Sequence, residues 1–138
     1  MKLINSNYDK ETGVSIATIT TKDCGDFIGT AILNSEDKEY ASRYIGCEIA
    51  ELRAIQKYFK TKIKRLNIQL QILYKIQKEI KKEYKDKILD KEILVLQEQK
   101  NDLKKEIKNI NNTINNIAEK HIENVKLFNK KIKEKQDN

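Results

Sequence analysis

The chain has 138 residues, 36% of them charged and 38% apolar, with no Trp, no Pro and only four glycines. All four (Gly13, Gly25, Gly29 and Gly46) fall in the first 46 residues, so the remaining 92 hold neither helix breaker and suit long helices rather than a loop-rich enzyme fold. No run of 18 apolar residues offers a membrane span, and MKLINSNYDK lacks the apolar core of a secretion signal. Cys24 and Cys47 match no metal spacing and are expected to stay thiols. The net charge of +7 is unevenly spread: 4 Lys against 7 Asp and Glu over residues 1–39, 24 Lys and Arg against 14 Asp and Glu over 40–138. Lys, Ile and Asn all have AT-rich codons, so codon bias accounts for part of the basicity.

The first third reads as an antiparallel meander. Residues 2–8 form a weak first strand, and Asp9-Lys10-Glu11-Thr12-Gly13 forms a turn. Residues 14–21 (VSIATITT) are dense in β-branched residues, with Val14, Ile16, Thr18 and Thr20 on one face and Ala17 and Ile19 on the other. Asp23-Cys24-Gly25-Asp26 is a second turn, and residues 27–33 (FIGTAIL) form a third strand. Gly29 inside that strand implies a bulge, or close approach by another backbone or a ligand. Three strands alone are marginal, so something must cover the apolar face.

Asn34-Ser35-Glu36-Asp37 supplies caps and acids suited to a helix start, and Ser42 is a second possible cap. Gly46, Ala50 and Ala54 recur every four residues, a small-residue stripe that lets the helix lie close against the sheet or a partner helix. Beyond them Ile45, Ile49, Leu52, Phe59, Ile63, Leu66, Leu70, Leu73, Ile80 and Tyr84 alternate in steps of three and four, with Gln56 and Gln77 as polar gaps. A second run holds Leu89, Ile93, Leu96, Leu103, Ile107, Ile110, Ile114, Ile117, Val125, Phe128 and Ile132, with Lys100 and His121 at seam positions. The runs lose phase across Lys85 to Asp90, where Asp86 or Asp90 could cap a new helix. Each is about 65 Å long as a helix. Near-equal lengths favour a helical hairpin over one continuous helix, and seams this long recruit a second chain. The expected fold class is therefore α+β: a sheet over residues 1–39, packed on long helices over 40–138 as one structural unit, assembled as a homodimer or larger.

Residues with catalytic chemistry are sparse. The single His121 cannot make a two-His metal site, and its seam position marks it as a packed polar residue. Cys47 has no neighbouring base in sequence. No Walker loop, dinucleotide fingerprint or zinc pattern occurs, which points away from an enzyme and implies no cofactor. Only three arginines, Arg43, Arg53 and Arg65, stand among 25 lysines, and an Arg in so Lys-rich a chain marks a place where a planar fork suits phosphate or carboxylate. Phe27 and Thr30 on the third strand, with Arg43, Tyr44, Arg53 and Tyr58 on the helix leaving the sheet, make a minimal kit for a nucleotide-like ligand. Sheet-to-helix packing, with Arg53 bridging to Glu48 or Glu51, is the competing account of the same residues.

Residues 14–60 resemble a family of small phage proteins. The pattern is a strand, G-x-F-x-G-x-A (Gly25, Phe27, Gly29, Ala31), an acidic segment (Glu36, Asp37, Lys38), then G-x-x-I-A-E-x-R-A opening a helix (Gly46, Ile49, Ala50, Glu51, Arg53, Ala54). The family resembled is the Thoeris anti-defence protein one family, sponges that sequester the cyclic ADP-ribose-type signal made by bacterial TIR proteins. The resemblance covers about a third of the chain. It implies non-catalytic capture of such a signal in the cytoplasm of an infected bacterial host, blocking activation of the Thoeris effector. A basic helical nucleic-acid binder and a coiled-coil inhibitor of a host protein are the alternatives, both set behind the sponge.

Overall fold

A computed structural model describes residues 1–32, 43–80 and 87–136. Strands β1 (Lys2–Tyr8), β2 (Val14–Thr21) and β3 (Gly25–Ile32) form one antiparallel sheet in the order β1-β2-β3. Helices α1 (Arg43–Glu79) and α2 (Lys87–Gln136) follow. The fold is thus α+β with two long helices rather than one continuous helix. The cap candidates Asn34, Ser35, Glu36, Asp37, Ser42 and Asp86, the seam residue Tyr84, and the side chains of Arg43, Val125 and Phe128 lie outside the described residues.

Both hairpin turns are built locally. Asp9 accepts from Gly13 N at 2.9 Å, and its carboxylate accepts from Glu11 N at 3.0 Å, so the aspartate folds the chain back on itself. Gly13 and Gly25 take φ of 72° and 76°, a left-handed backbone that costs a side-chain-bearing residue about 1–2 kcal/mol. Thr21 braces the second turn, its hydroxyl donating to Gly25 O at 2.7 Å and accepting from Cys24 N at 3.1 Å.

Gly29 is not a bulge. It pairs regularly with Ala17, and the register irregularity lies in β1 between Leu3 and Asn5. Gly29 is instead where α1 touches the sheet: a Cβ there would stand 1.9 Å from Ala50 O and 2.5 Å from Ala54 N. At Gly46 a Cβ would stand 2.2 Å from Ser15 Oγ. The small-residue stripe therefore faces the sheet. Ser15, Ala17, Ile19, Ala31, Ala50 and Ala54 are all buried in this contact. The opposite sheet face is open, with Ile16, Ile28 and Ile32 exposed.

The heptad residues close a second interface, α1 against α2. Ile49 and Ala50 pack with Ile110 and Ile114, and farther along Leu70 packs with Leu89 and Ile93. Gln56 donates to Ile107 O and Asn111 Oδ1, and Gln77 to Asp90 Oδ1 at 2.8 Å, so the helices run antiparallel. Asp90 lies in the first turn of α2, where a carboxylate suits the helix dipole. The lengths are unequal, 37 and 50 residues. His121 is buried as its seam position implies, and its Nε2 has no hydrogen-bond partner among the described residues.

Candidate functional site

Three groups of contacts fix what lies around α1. At its centre Tyr58 is buried with Ile19 and Ala54, its ring centroid 5.6 Å from that of Phe27 and 5.7 Å from that of Phe59. The Tyr58 hydroxyl donates to Asp23 Oδ1 at 2.7 Å, and Lys62 Nζ stands 5.1 Å from the Tyr58 ring centroid. The hydrogen bond from Tyr58 holds the Asp23 carboxyl below its usual range. The same bond, with burial, pushes the Tyr58 phenol up to about 12. Arg65 Nη1 donates to Asp23 O at 2.7 Å, so α1 clamps the β2–β3 turn by both ends of one aspartate.

The second group lies along the free edge of β3. Arg53 Nη1 donates to Thr30 O at 2.8 Å, and Lys57 Nζ donates to Ile28 O at 2.6 Å. These alternate carbonyls point away from β2, and two cations one helical turn apart satisfy them. An open row of such carbonyls would template another strand.

Tyr44, 85% exposed, belongs to a third place near β1. It lines a cavity of about 520 Å³ with Leu3, Ser6, Cys47, Glu48 and Glu51. Among the described residues that line it are two carboxylates and no cation.

The five candidates whose side chains are described fall into three places. Phe27 meets Tyr58 inside the core, Arg53 meets the Thr30 carbonyl at the sheet edge, Tyr44 lies near β1, and the Arg43 side chain is outside the described residues. Arg53 bonds to neither Glu48 nor Glu51 in the contacts described.

A better-equipped place is the junction of the β2–β3 turn, α1 and α2. A cavity of about 430 Å³ opens there, lined by Asp23, Lys62, Arg65, Leu66, Gln69, Gln99, Asp102 and Leu103. Leu66 and Leu103 give an apolar floor. Gln69 and Gln99 each offer a paired donor and acceptor, and Lys62 and Arg65 bring two positive charges. Asp23 and Asp102 supply acceptors for hydroxyl or amino groups. A larger groove of about 620 Å³, between the helices, is lined by Asn67, Leu70, Gln71, Tyr74, Gln97, Lys100 and Asn101. It has walls from two elements only and one cation, whereas the junction has walls from three elements and two cations beside two carboxylates, so the junction holds the stronger claim to a ligand that carries both phosphate and hydroxyl or amino groups.

Of the junction residues, sequence reasoning singled out Arg65 by the rarity of Arg, and named Asp23 only as a turn residue and Leu66 and Leu103 only as seam positions. Lys62 and Gln69 stand three and four residues from Arg65, and Leu66 four from Lys62 and three from Gln69, a signal for one helical face but not for a cavity. Among the described residues no three His, Cys, Asp or Glu side chains gather as a metal site. Nor is any described helix long and apolar enough to cross a membrane. Compared with protein-family models, curated proteins and solved structures, the chain matches none.

Proposed function

We propose that this protein is a sponge: it binds a cyclic ADP-ribose-type signal and holds it unchanged, in the cytoplasm of an infected bacterial host, so that the Thoeris effector is not activated. The observation that carries this reading is the convergence of Lys62, Arg65, Gln69 and Gln99 over the Leu66–Leu103 floor. A flat base suits that floor, the amides suit its polar edge, and the two cations suit phosphate oxygens. About 430 Å³ lies within the range of small-ligand sites. The resemblance of residues 14–60 supplies the signal class.

Competing with a sensor needs a nanomolar Kd, about −12 kcal/mol. A groove on one protomer leaves much of the ligand wet, and tight sites bury most of it. We therefore take the working form to be a homodimer or larger. Exposed Ile68, Ile72 and Ile76 on α1, with Val95 on α2, support that assembly, since a second copy would cover them.

The test incubates the protein with the product of a bacterial TIR enzyme, removes unbound signal, denatures the protein by heat and assays what is released. Intact signal supports capture without turnover. Altered signal refutes the non-catalytic reading, and no uptake refutes capture. Lys62→Gln and Arg65→Gln should each weaken uptake about 10- to 100-fold, the worth of one charge-assisted contact. Binding should also vary little with salt, because a buried small-ligand site releases few counterions.

A further inference from the structure

Residues 53–78 of α1 contain eight basic residues and no acid. Over the same length of α2, residues 87–112, six basic residues alternate with five acids. Codon bias acts on both helices alike, so it explains lysine content but not the absence of acids between Glu51 and Glu79 of α1. The placement is as selective as the composition. Arg53, Lys57, Lys60, Lys64, Lys75 and Lys78 follow one another in steps of four, three, four, eleven and three, with Gln71 inside the long step. These are heptad steps on the outward side of the helix, and all seven residues are exposed. Lys62 and Arg65 turn to the junction cavity and do not belong to this row.

We propose that this face of α1 docks along the phosphate backbone of nucleic acid, independently of base sequence and of the junction cavity. The row is about 37 Å long on a straight helix, close to one turn of duplex DNA at about 34–36 Å. A polymer with a regular array of single-sign charge matches a row of this length, and a small anion does not. Gln71 is the only uncharged hydrogen-bonding side chain in the row, too little to read base edges. Arg53 and Lys57 hold the β3 carbonyls while keeping their charge, so one end of the row is fixed before any ligand arrives.

The experiment measures fluorescence anisotropy of a labelled duplex of about two helical turns against the full chain, over a range of salt. With six contacts the affinity should fall about 10³-fold between about 50 and 200 mM salt. The variant Lys60→Gln/Lys64→Gln/Lys75→Gln spares the two β3 clamps. With three contacts left it should fall only about 40-fold over the same range, and it should bind more weakly throughout. The control Lys104→Gln/Lys105→Gln/Lys108→Gln removes as much charge from α2 and should keep the wild-type slope. Gln is a good helix former, so both variants should melt with the wild type. If the α1 variant melts early, Lys64→Gln and Lys75→Gln made singly should each reduce the slope by about 0.9. No binding at the lowest salt, equal loss of slope in both triple variants, or binding to anionic lipid vesicles that duplex fails to displace would each overturn the proposal. None of these measurements involves the cavity, so failure here leaves the sponge reading untouched.

Discussion

Replacing Gly29 with Ala tests the contact on which the whole fold turns. The new Cβ would stand 1.9 Å from Ala50 O and 2.5 Å from Ala54 N, and 3.0 Å from Ala50 C. All three atoms are backbone, so no side chain can rotate away. To reach an ordinary contact near 3.4 Å, α1 and β3 must separate by more than about 1 Å along that line. A gap of 0.5–1 Å forfeits about a quarter to a half of each dispersion contact across it. The same layer contains Ala17, Ala31, Ala50 and Ala54, all buried and too short to fill the gap. Ala in an unobstructed strand position would gain about 0.5–1 kcal/mol over Gly. Overpacking costs about 1–3 kcal/mol, with a backbone clash at the upper end, so after the propensity gain we expect a net loss of about 2 kcal/mol and a fall in Tm of about 7 °C. Gly46 supplies the control. Its obstacle is the Ser15 side chain, with Oγ at 2.2 Å and Cβ at 3.2 Å. Gly46→Ala should therefore be rescued by Ser15→Ala, with added helix propensity of about 1 kcal/mol, whereas Ala50→Gly should not rescue Gly29→Ala. Thermal melts followed by circular dichroism check both. A Gly29→Ala chain as stable as the wild type, or more stable, would refute the backbone contact, because the propensity gain alone does not exceed the overpacking cost.

The other substitutions separate packing from binding. Ser15→Ala alone removes a fully buried hydroxyl that has no partner among the described residues, so chemical denaturation should show unchanged stability or a gain of up to about 1 kcal/mol. Arg53→Ala should cost about 1 kcal/mol by melting, the worth of one exposed charge-assisted bond to Thr30 O. It should leave nucleotide capture unchanged in a calorimetric titration, and a tenfold weaker titration would move the ligand to the β3 edge. Tyr58→Phe tests the pH profile. The phenol is raised in the folded chain to about 12, so its stabilisation is complete below the ordinary value near 10 and drains away between about 10 and 12. Asp23 is lowered, so its contribution holds above the ordinary aspartate range and is lost as pH falls through the lowered value. The Phe variant should flatten stability against pH at both ends, and an unchanged alkaline limb would remove the Tyr58–Asp23 bond from the account.

What the sequence disclosed was set by how local each signal is. Gly13 and Gly25 mark turns because the left-handed backbone is a property of single residues. The Gly46–Ala50–Ala54 stripe and the apolar heptads disclose faces because helical spacing is fixed. Gly29 disclosed that something comes close, without saying whether it was a strand irregularity or a helix. The junction cavity was illegible for a different reason. Gln69, Gln99 and Asp102 are ordinary polar helix residues, and only the register of α1 on α2 brings them to the turn at Asp23. That register depends on contacts such as Gln56 with Asn111, more than fifty residues apart. The described aromatic and Arg candidates come together in pairs. Phe27 and Tyr58 do meet, but in the core, and Arg53 does reach Thr30, but through a backbone carbonyl.

The division of labour on α1 also limits what the family-like pattern can mean. Gly29 and Ala31 on β3, and Gly46, Ala50 and Ala54 on α1, are all used in pressing helix to sheet. Phe27 packs on Tyr58, and Arg53 satisfies a strand carbonyl. Ile49 packs on α2. A chain can therefore carry this pattern for the sake of the scaffold alone, whatever it binds. Specificity has to come from residues outside the pattern. On α1 these form two sets on different faces: Lys62, Arg65 and Gln69 at the junction, and the cation row from Lys60 to Lys78. Only Arg53, at the head of the full row, belongs to the pattern. Changing the first should alter which small ligand is held, and changing the second should alter how the protein meets a polyanion. Changing the pattern residues should cost stability before it costs either activity.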